Sequence, residues 1–414
     1  MRILVLSPYL AHSEIGHGGG ISTYHLARHL ARRHELTLLC FARADDQGRE
    51  RELEEAGVRV WTVPFLSPAD RGLRRLAFFA DRLFVRLRAC RRGRPSFAEK
   101  YGRSAMRSHL LHLLENEEFE IVQAEYEAMG SYLEIAREWR DRRQSPGPRL
   151  LLNTHEAGIL PRRRRLAAAT GAERIRLQRA LVSWEGMVTR AIAAADRVQC
   201  VTPQDRQLLV ELVGDPDAEK LRVLPFGVDG ESLPAARVAE GPARLLFVGS
   251  YGHAPNVEAA RLLIESIVPQ LRSEFPQLQC DLVGRGLPAD LRSAAGEGIR
   301  ILGFVEDLDR CFDGAWIFAA PLFSGGGIKI KILEAMARGS AVLSTPMGLE
   351  GIDTEIGVHA FCAEDVGDFI TQTRQLLVEP QRLRALGRAA RSHTLSHYDW
   401  EVIVDRWERE MASD

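Results

Sequence analysis

Short apolar runs recur along the chain, each closed by glycine, proline or a small polar residue and followed by apolar positions at helical spacing. In the first half the runs are Arg2–Ser7, Glu35–Phe41, Val58–Pro64, Ile121–Ala124, Arg149–Thr154, Arg197–Thr202 and Leu221–Pro225. Near-continuous apolar content, as in Leu150-Leu151-Leu152, is what strands covered on both faces require, so the runs predict parallel strands alternating with helices. The stretch Gly230–Gly241, with Pro234 and several small residues, reads as a linker. The pattern then restarts at Arg244–Ser250, Gln279–Val283, Ile299–Gly303, Trp316–Pro321, Ala341–Thr345 and Val358–Cys362. Two such series predict an α/β protein of two doubly wound domains, residues 1–232 and 233–395. Ligands are expected at the carboxyl ends of the strands and in a central cleft that the domains face. The last segment, 396–414, is helical in pattern and either ends the second domain or packs back on the first.

Composition narrows the class. With 414 residues, 45% hydrophobic and 27% charged, the chain is an ordinary globular protein of two or three domains. The net charge of −1 conceals an asymmetry, because residues 1–232 balance to +6 and residues 233–414 to −7. Overall neutrality speaks against nucleic acid as a partner and directs attention to anions at the basic half. Six scattered cysteines without metal-ligand spacing fit reduced thiols in a cytoplasmic protein. No apolar run approaches the length of a membrane span.

The strongest chemical signal lies at Phe323–Ala337. Gly325, Gly326 and Gly327 let backbone amides approach a ligand, and the helix start that follows favours negative charge. Lys329 and Lys331 add mobile positive charge in a chain whose only other lysines are Lys100 and Lys220. Glu334, inside that helix, is suited to accept from sugar or ribose hydroxyls. Together they read as a nucleotide diphosphate site, the alternative being a glycine turn with solvated lysines. A second loop, Gly16-His17-Gly18-Gly19-Gly20, follows the first strand and opens a helix expected over Ile21–Arg33. It lacks the dinucleotide spacing, because Ile21 stands where a glycine is needed. An anion site and a flexible turn are both open there.

His155-Glu156 closes one strand, where an imidazole can bond a sugar hydroxyl, exchange a proton or serve structure alone. Gly303-Phe304-Val305 and Gly284-Arg285-Gly286 close two others, the first suited to a flat base. Two basic segments stand apart. Arg71–Arg94 holds nine arginines, among them Arg74, Arg75 and Arg82, with Leu73, Leu76, Leu83, Phe84 and Leu87 near one helical face. Leu160–Leu166 contains Arg162 and Arg163 in a run of four arginines. Such segments suit an anionic membrane surface or a phosphorylated acceptor, unless their apolar faces pack in the core.

In this order the motifs resemble the retaining glycosyltransferases of family 4, which have the GT-B fold. The resemblance runs from Ile3-Leu4-Val5-Leu6-Ser7 and the delayed glycines, through Thr202-x-x-Asp205 and Pro225-Phe226-Gly227-Val228-Asp229. It continues at Phe247-Val248-Gly249-Ser250, Leu302-Gly303-Phe304-Val305, Leu333-Glu334-Ala335-Met336-Ala337 and Ser344-Thr345-Pro346 with Gly348 and Glu350. It implies transfer of a sugar from a nucleotide-sugar, with UDP or GDP as the expected nucleotide, to an acceptor hydroxyl with retention at the anomeric carbon. The donor belongs to the second domain and the acceptor mainly to the first. Glu334 is then expected at the ribose, His155 near the donor sugar, Gly18–Gly20 beside the phosphates, and Ser250, Gly303 and Val305 among the donor contacts.

The pattern departs from many members in two places. A glutamate eight residues before Glu334 is replaced by Gly326, and the stretch Ser250–Asn256 lacks the usual Arg and Lys. Lys331, and secondarily Lys329, is expected to supply that charge, as in a subgroup with a Gly-rich loop and a lysine before Glu-Ala-Met. No metal and no cofactor is expected. The resulting expectation is a hexosyltransferase of envelope-glycan or exopolysaccharide assembly, cytoplasmic or peripheral on the inner face of a membrane, acting on a glycan or lipid-linked acceptor. The alternatives are a nucleotide-sugar 2-epimerase of the same fold and a nucleotide-sugar-binding scaffold that has lost catalysis.

Overall fold

A computed structural model describes the chain except residues 144–145, 156–157, 237–240 and 413–414, and the side chains of 215–216. Glu156 and part of the expected linker therefore lie outside the described residues. The chain forms two compact units, one of Met1–Pro225 with Val404–Asp414 and one of Phe226–Ile403. The division falls just ahead of the expected linker. The final segment is shared between the units, and its last residues return to the first.

The first unit is built on seven parallel strands: β1 (Arg2–Ser7), β2 (Glu35–Ala42), β3 (Arg59–Pro64), β4 (Ile121–Glu125), β5 (Arg149–Asn153), β6 (Arg197–Cys200) and β7 (Leu221–Val223). Their order is β3-β2-β1-β4-β5-β6-β7. The second unit has β8 (Arg244–Val248), β9 (Gln279–Val283), β10 (Ile299–Gly303), β11 (Ile317–Ala319), β12 (Ala341–Ser344) and β13 (Phe361–Cys362), in the order β10-β9-β8-β11-β12-β13. Each sheet reverses its direction of winding once, between β1 and β4 and between β8 and β11. Loops that leave neighbouring strands in opposite directions open a crevice there, at the carboxyl ends.

Alternation along the strands sets the two faces of the first sheet. Leu4, Leu6, Val122, Ala124, Leu150 and Leu152 point to one face and pack with Leu110, Leu113, Leu133 and Val188 from its helices. The residues between them, including Gln123, belong to the opposite face. There Trp407, fully buried, donates from its indole Nε1 to Gln123 Oε1 at 2.9 Å.

Several elements depart from the pattern reading. The first helix runs Gly18–Ala31, so the three glycines form its opening turn rather than a loop before it. The last expected strand shrinks to the two-residue edge strand β13. Arg71–Arg94 becomes the helix Gly72–Arg92, of which only Val85 and Ala89 are buried, while Leu73 is 83% exposed and Leu76, Phe79, Leu83, Phe84 and Leu87 are more than half exposed. The core-packing alternative for that apolar face is thereby excluded within the described residues. No described helix is long and apolar enough to cross a membrane.

Candidate functional site

In the second unit the expected donor residues converge at the switch point. After β8 the chain passes Gly249 and Ser250 and enters the helix Ala254–Leu262, whose first turn holds Asn256. After β11 it passes the glycine-rich loop and enters the helix Ile330–Ala337, with Lys329 as its N-cap. Gly325 and Gly327 have φ of 116° and 66°, which side-chain-bearing residues rarely adopt, so the loop's path depends on glycine there. A side chain at Gly325 would stand 3.5 Å from Pro255, so the loop lies against the start of the helix after β8. Gly326 belongs to the same loop.

Lys331 crosses between the two segments. Its Nζ donates to Asn256 Oδ1, while Asn256 Nδ2 donates to the Ser250 carbonyl at 2.7 Å. The charge that Ser250–Asn256 lacks in its own sequence is thus delivered to it from the helix after β11. Burial and the like charge of Lys329 lower the Lys331 ammonium to about 7, against a smaller opposing effect of Glu334. Lys329 is engaged differently: its Nζ donates to the Gly327 carbonyl at 2.7 Å and lies 3.4 Å from Glu350. Burial raises the Glu334 carboxyl above its usual value, with Arg338 and Lys331 working the other way.

At the far side of this edge β9 and β10 end together, the Gly284 amide donating to the Gly303 carbonyl at 2.7 Å. The Arg285 guanidinium lies 3.7 Å from the centre of the half-exposed Phe304 ring, beside Val305. Two weak signals in the sequence become one flat, cationic platform. Asn256 and the Arg285–Phe304 pair are the residues that motif reading did not assemble.

The first unit places His155 at the end of β5 and Glu125-Tyr126 at the end of β4, beside its own switch point. His155 and Tyr126 have φ of 51° and 68°, and their rings stack at 3.8 Å with planes 1° apart. His155 Nε2 lies 2.6 Å from Glu125 Oε2, and both side chains are buried. The glycines of the first helix have packing reasons of their own. A side chain on Gly19 would overlap Tyr126 Oη and press on His155 Nδ1, and one on Gly20 would meet Ile15 and His17. His17 caps the helix, its Nδ1 accepting from the Gly20 amide at 3.0 Å, and Gly18 opens its first turn. The loop expected beside phosphates is therefore a close-packed helix start against His155.

The arginines divide. Arg75 and Arg82 are exposed on the helix Gly72–Arg92, and Arg74 reaches Asp70 at 3.3 Å. Arg162 stacks on Trp184 at 3.3 Å and donates to the Gly158 carbonyl, and Arg163 pairs with Glu185 at 2.9 Å. Their charge serves the first unit's own packing rather than an open basic patch. A cavity of about 670 Å³ in that unit is lined by six arginines, of which Arg88, Arg92, Arg94 and Arg103 are answered by Glu99, Glu134 or Asp81.

Residues 16–232 match the family model described as Glycosyltransferase Family 4. The chain belongs to this family. Residues 242–379 match a second model, that of glycosyl transferases group 1. Among curated proteins the chain is similar to the phosphatidyl-myo-inositol mannosyltransferases of Mycolicibacterium smegmatis and Mycobacterium leprae. The first is 29% identical over 48% of this chain and 52% of that protein, the second 30% identical over 55% and 60%. The chain thus spans about half the length of these relatives. The solved structure of sucrose-phosphate synthase from Thermosynechococcus elongatus superposes with a TM-score of 0.68 at 16% identity, over 99% of this chain and 98% of that one. HepE from Anabaena, solved in complex with UDP, gives 0.69 at 16% over the full length of both. At such identities the likeness is one of fold, the two Rossmann-like domains of GT-B glycosyltransferases.

Proposed function

We propose that this protein is a retaining, metal-independent hexosyltransferase that moves a sugar from a UDP- or GDP-sugar to an acceptor hydroxyl in envelope-glycan assembly. The observation that carries the reading is Lys331, held at Asn256 between the glycine-rich loop and the helix after β8. In the transfer the bond between the anomeric carbon and the phosphate oxygen breaks, and the diphosphate departs with negative charge. Fixed donors aimed at that charge are the largest lever available to the enzyme. Lys331, the amides of Gly325–Gly327 and the start of the helix Ile330–Ala337 supply them, in the manner of the subgroup with a lysine before Glu-Ala-Met. In this reading Glu334 takes the ribose, the Arg285–Phe304 platform and the Val305 backbone take the base, and His155 takes a hydroxyl of the donor sugar.

For the acceptor, support comes from the helix Gly72–Arg92. Its exposed leucines and phenylalanines between arginines suit the surface of an anionic membrane. The mannosyltransferase relatives carry a phosphatidylinositol lipid in their names, which favours a lipid-linked acceptor here.

The test is thermal stabilisation of the protein by UDP-, GDP- and ADP-sugars, with and without EDTA, beside Lys331→Ala. A ligand bound by the native state at 100 times its Kd stabilises it by about 2.7 kcal/mol. Stabilisation by one nucleotide class, indifferent to EDTA and lost in Lys331→Ala, is the expected result. Turnover of the sugar without an acceptor would favour the epimerase, binding without turnover the scaffold. No stabilisation by any donor would overturn the reading.

A further inference from the structure

The His155–Glu125 pair is the visible end of a longer buried chain of hydrogen bonds, whose directions can be worked out from one end. An indole N–H only donates, so the 2.9 Å contact from Trp407 Nε1 identifies the oxygen of the Gln123 amide and turns its nitrogen the other way. That nitrogen donates to Glu125 Oε1 at 2.5 Å. The Asn153 amide is oriented likewise: its oxygen accepts from the His155 backbone N–H at 3.1 Å, so its nitrogen donates to Glu125 Oε2 at 3.0 Å. Glu125 and Asn153 are direct partners across β4 and β5, which brings the two side chains to one face. Thr23 Oγ1 stands 3.4 Å from Glu125 Oε2 and also bonds the Gly19 carbonyl. The single Thr23 proton goes to the nearer Gly19 carbonyl, so Glu125, 0% exposed, accepts from the two amide nitrogens, one on each oxygen, and His155 Nε2 at 2.6 Å is the third group that faces it.

We propose that Glu125 is a positioning residue, which holds His155 as the Nε2–H tautomer with Nδ1 facing Gly19, and that Trp407 sets Glu125 through Gln123. The His155 imidazole would then be governed from the last helix of the chain. Stacking on Tyr126 fixes the plane of the ring, and Glu125 fixes which nitrogen carries the proton. The Nε2–H tautomer leaves Nδ1 an acceptor, whereas the other tautomer offers only a donor at that place. The consequence for catalysis rests on the role proposed above for His155. The control of the tautomer does not.

The test separates the two. The imidazole ¹⁵N resonances of His155 are recorded in the whole protein, together with kcat, KM for the donor, and Tm, for wild type, Glu125→Gln, Trp407→Phe and His155→Asn. The expected wild-type spectrum is that of the Nε2–H tautomer. Glu125→Gln, which keeps the shape but offers an amide donor, is expected to shift the population toward Nδ1–H and lower kcat by about 100-fold, leaving KM for the donor within about twofold. Trp407→Phe keeps an aromatic side chain in the buried position and removes the indole N–H together with the five-membered ring that carries it. It is expected to move the same resonances the same way and by less, so the idea remains testable where Glu125→Gln fails to fold. An unchanged His155 spectrum in a folded variant of either kind would overturn the proposal. Full activity in His155→Asn, with the spectral shifts present in the other variants, would leave the positioning intact and remove the catalytic role of His155.

Discussion

Lys331 makes the sharpest claim at the scale of a single residue. Its ammonium, lowered to about 7 by burial and by Lys329, titrates close to physiological pH before any ligand arrives. A diphosphate binds the charged form, and its own charge raises the group again once bound. Donor affinity should therefore be level below about pH 7 and fall by up to about tenfold per pH unit above it. Proton uptake should accompany binding near pH 8, seen by calorimetry in buffers of different ionisation enthalpy. In Lys331→Met the affinity should be weak and independent of pH across that range. A wild-type affinity that rises with pH would contradict the role. Lys329, bonded to Gly327 and facing Glu350, should matter less, and Lys329→Ala should keep more activity than Lys331→Ala. The rarity of lysine made both residues legible in the sequence. Asn256 was not legible, because an amide in a helix's first turn carries no motif and its partner lies 75 residues away.

Among the described helices, Gly72–Arg92 leaves the most large apolar side chains exposed. Burying one exposed leucine in a bilayer interface is worth about 1.5–3 kcal/mol, and each arginine near an anionic surface about 1 kcal/mol. Binding to vesicles containing anionic lipid should therefore weaken at least about tenfold for each of Leu76→Gln and Leu83→Gln, and fall as salt rises. Since neither side chain is buried within the protein and glutamine is a good helix former, Tm should not move. Equal binding to neutral and anionic vesicles would remove the membrane role. The strands were readable because parallel sheets buried on both faces demand continuous apolar runs, and ten of the thirteen begin at the residue the pattern gives. The start of the first helix was misplaced, since glycine opposes helix by propensity. Here Gly19 and Gly20 are required for another reason, the contact with Tyr126, His155 and Ile15. Glu125 had a signal that went unused: Gln123 and Glu125 are polar residues two apart inside an otherwise apolar strand, which buried strands tolerate only where partners wait.

On the scale of the whole chain, the first unit is not contiguous in sequence: the second is inserted in it, and the last eleven residues belong to the first. What ties them there is specific. Trp407 is fully buried and Met411 nearly so, Arg33 meets Asp405 at 2.5 Å, His34 meets Glu408 at 2.9 Å, and Arg149 donates to the Ala412 carbonyl at 2.6 Å. Helical periodicity alone left both destinations open, because an apolar stripe states that a face is covered without stating by what. Removing a buried Trp side chain costs about 3–5 kcal/mol. That is a large part of the roughly 5–15 kcal/mol by which a domain is stable. A chain ending at Ile403 should therefore lose the unfolding transition of the first unit, or show it at a much lower temperature. The second unit keeps Lys331, Asn256 and the glycine-rich loop, so its transition should still rise with the nucleotide that stabilises the full-length protein. Trp407→Phe should cost the first unit far less, because it keeps most of the buried ring. Calorimetry of the three proteins, with and without nucleotide, checks the assignment. A truncated chain that unfolds like the intact one would show that the first unit does not need its C-terminal helix, and the route from Trp407 to His155 would then lose its structural anchor.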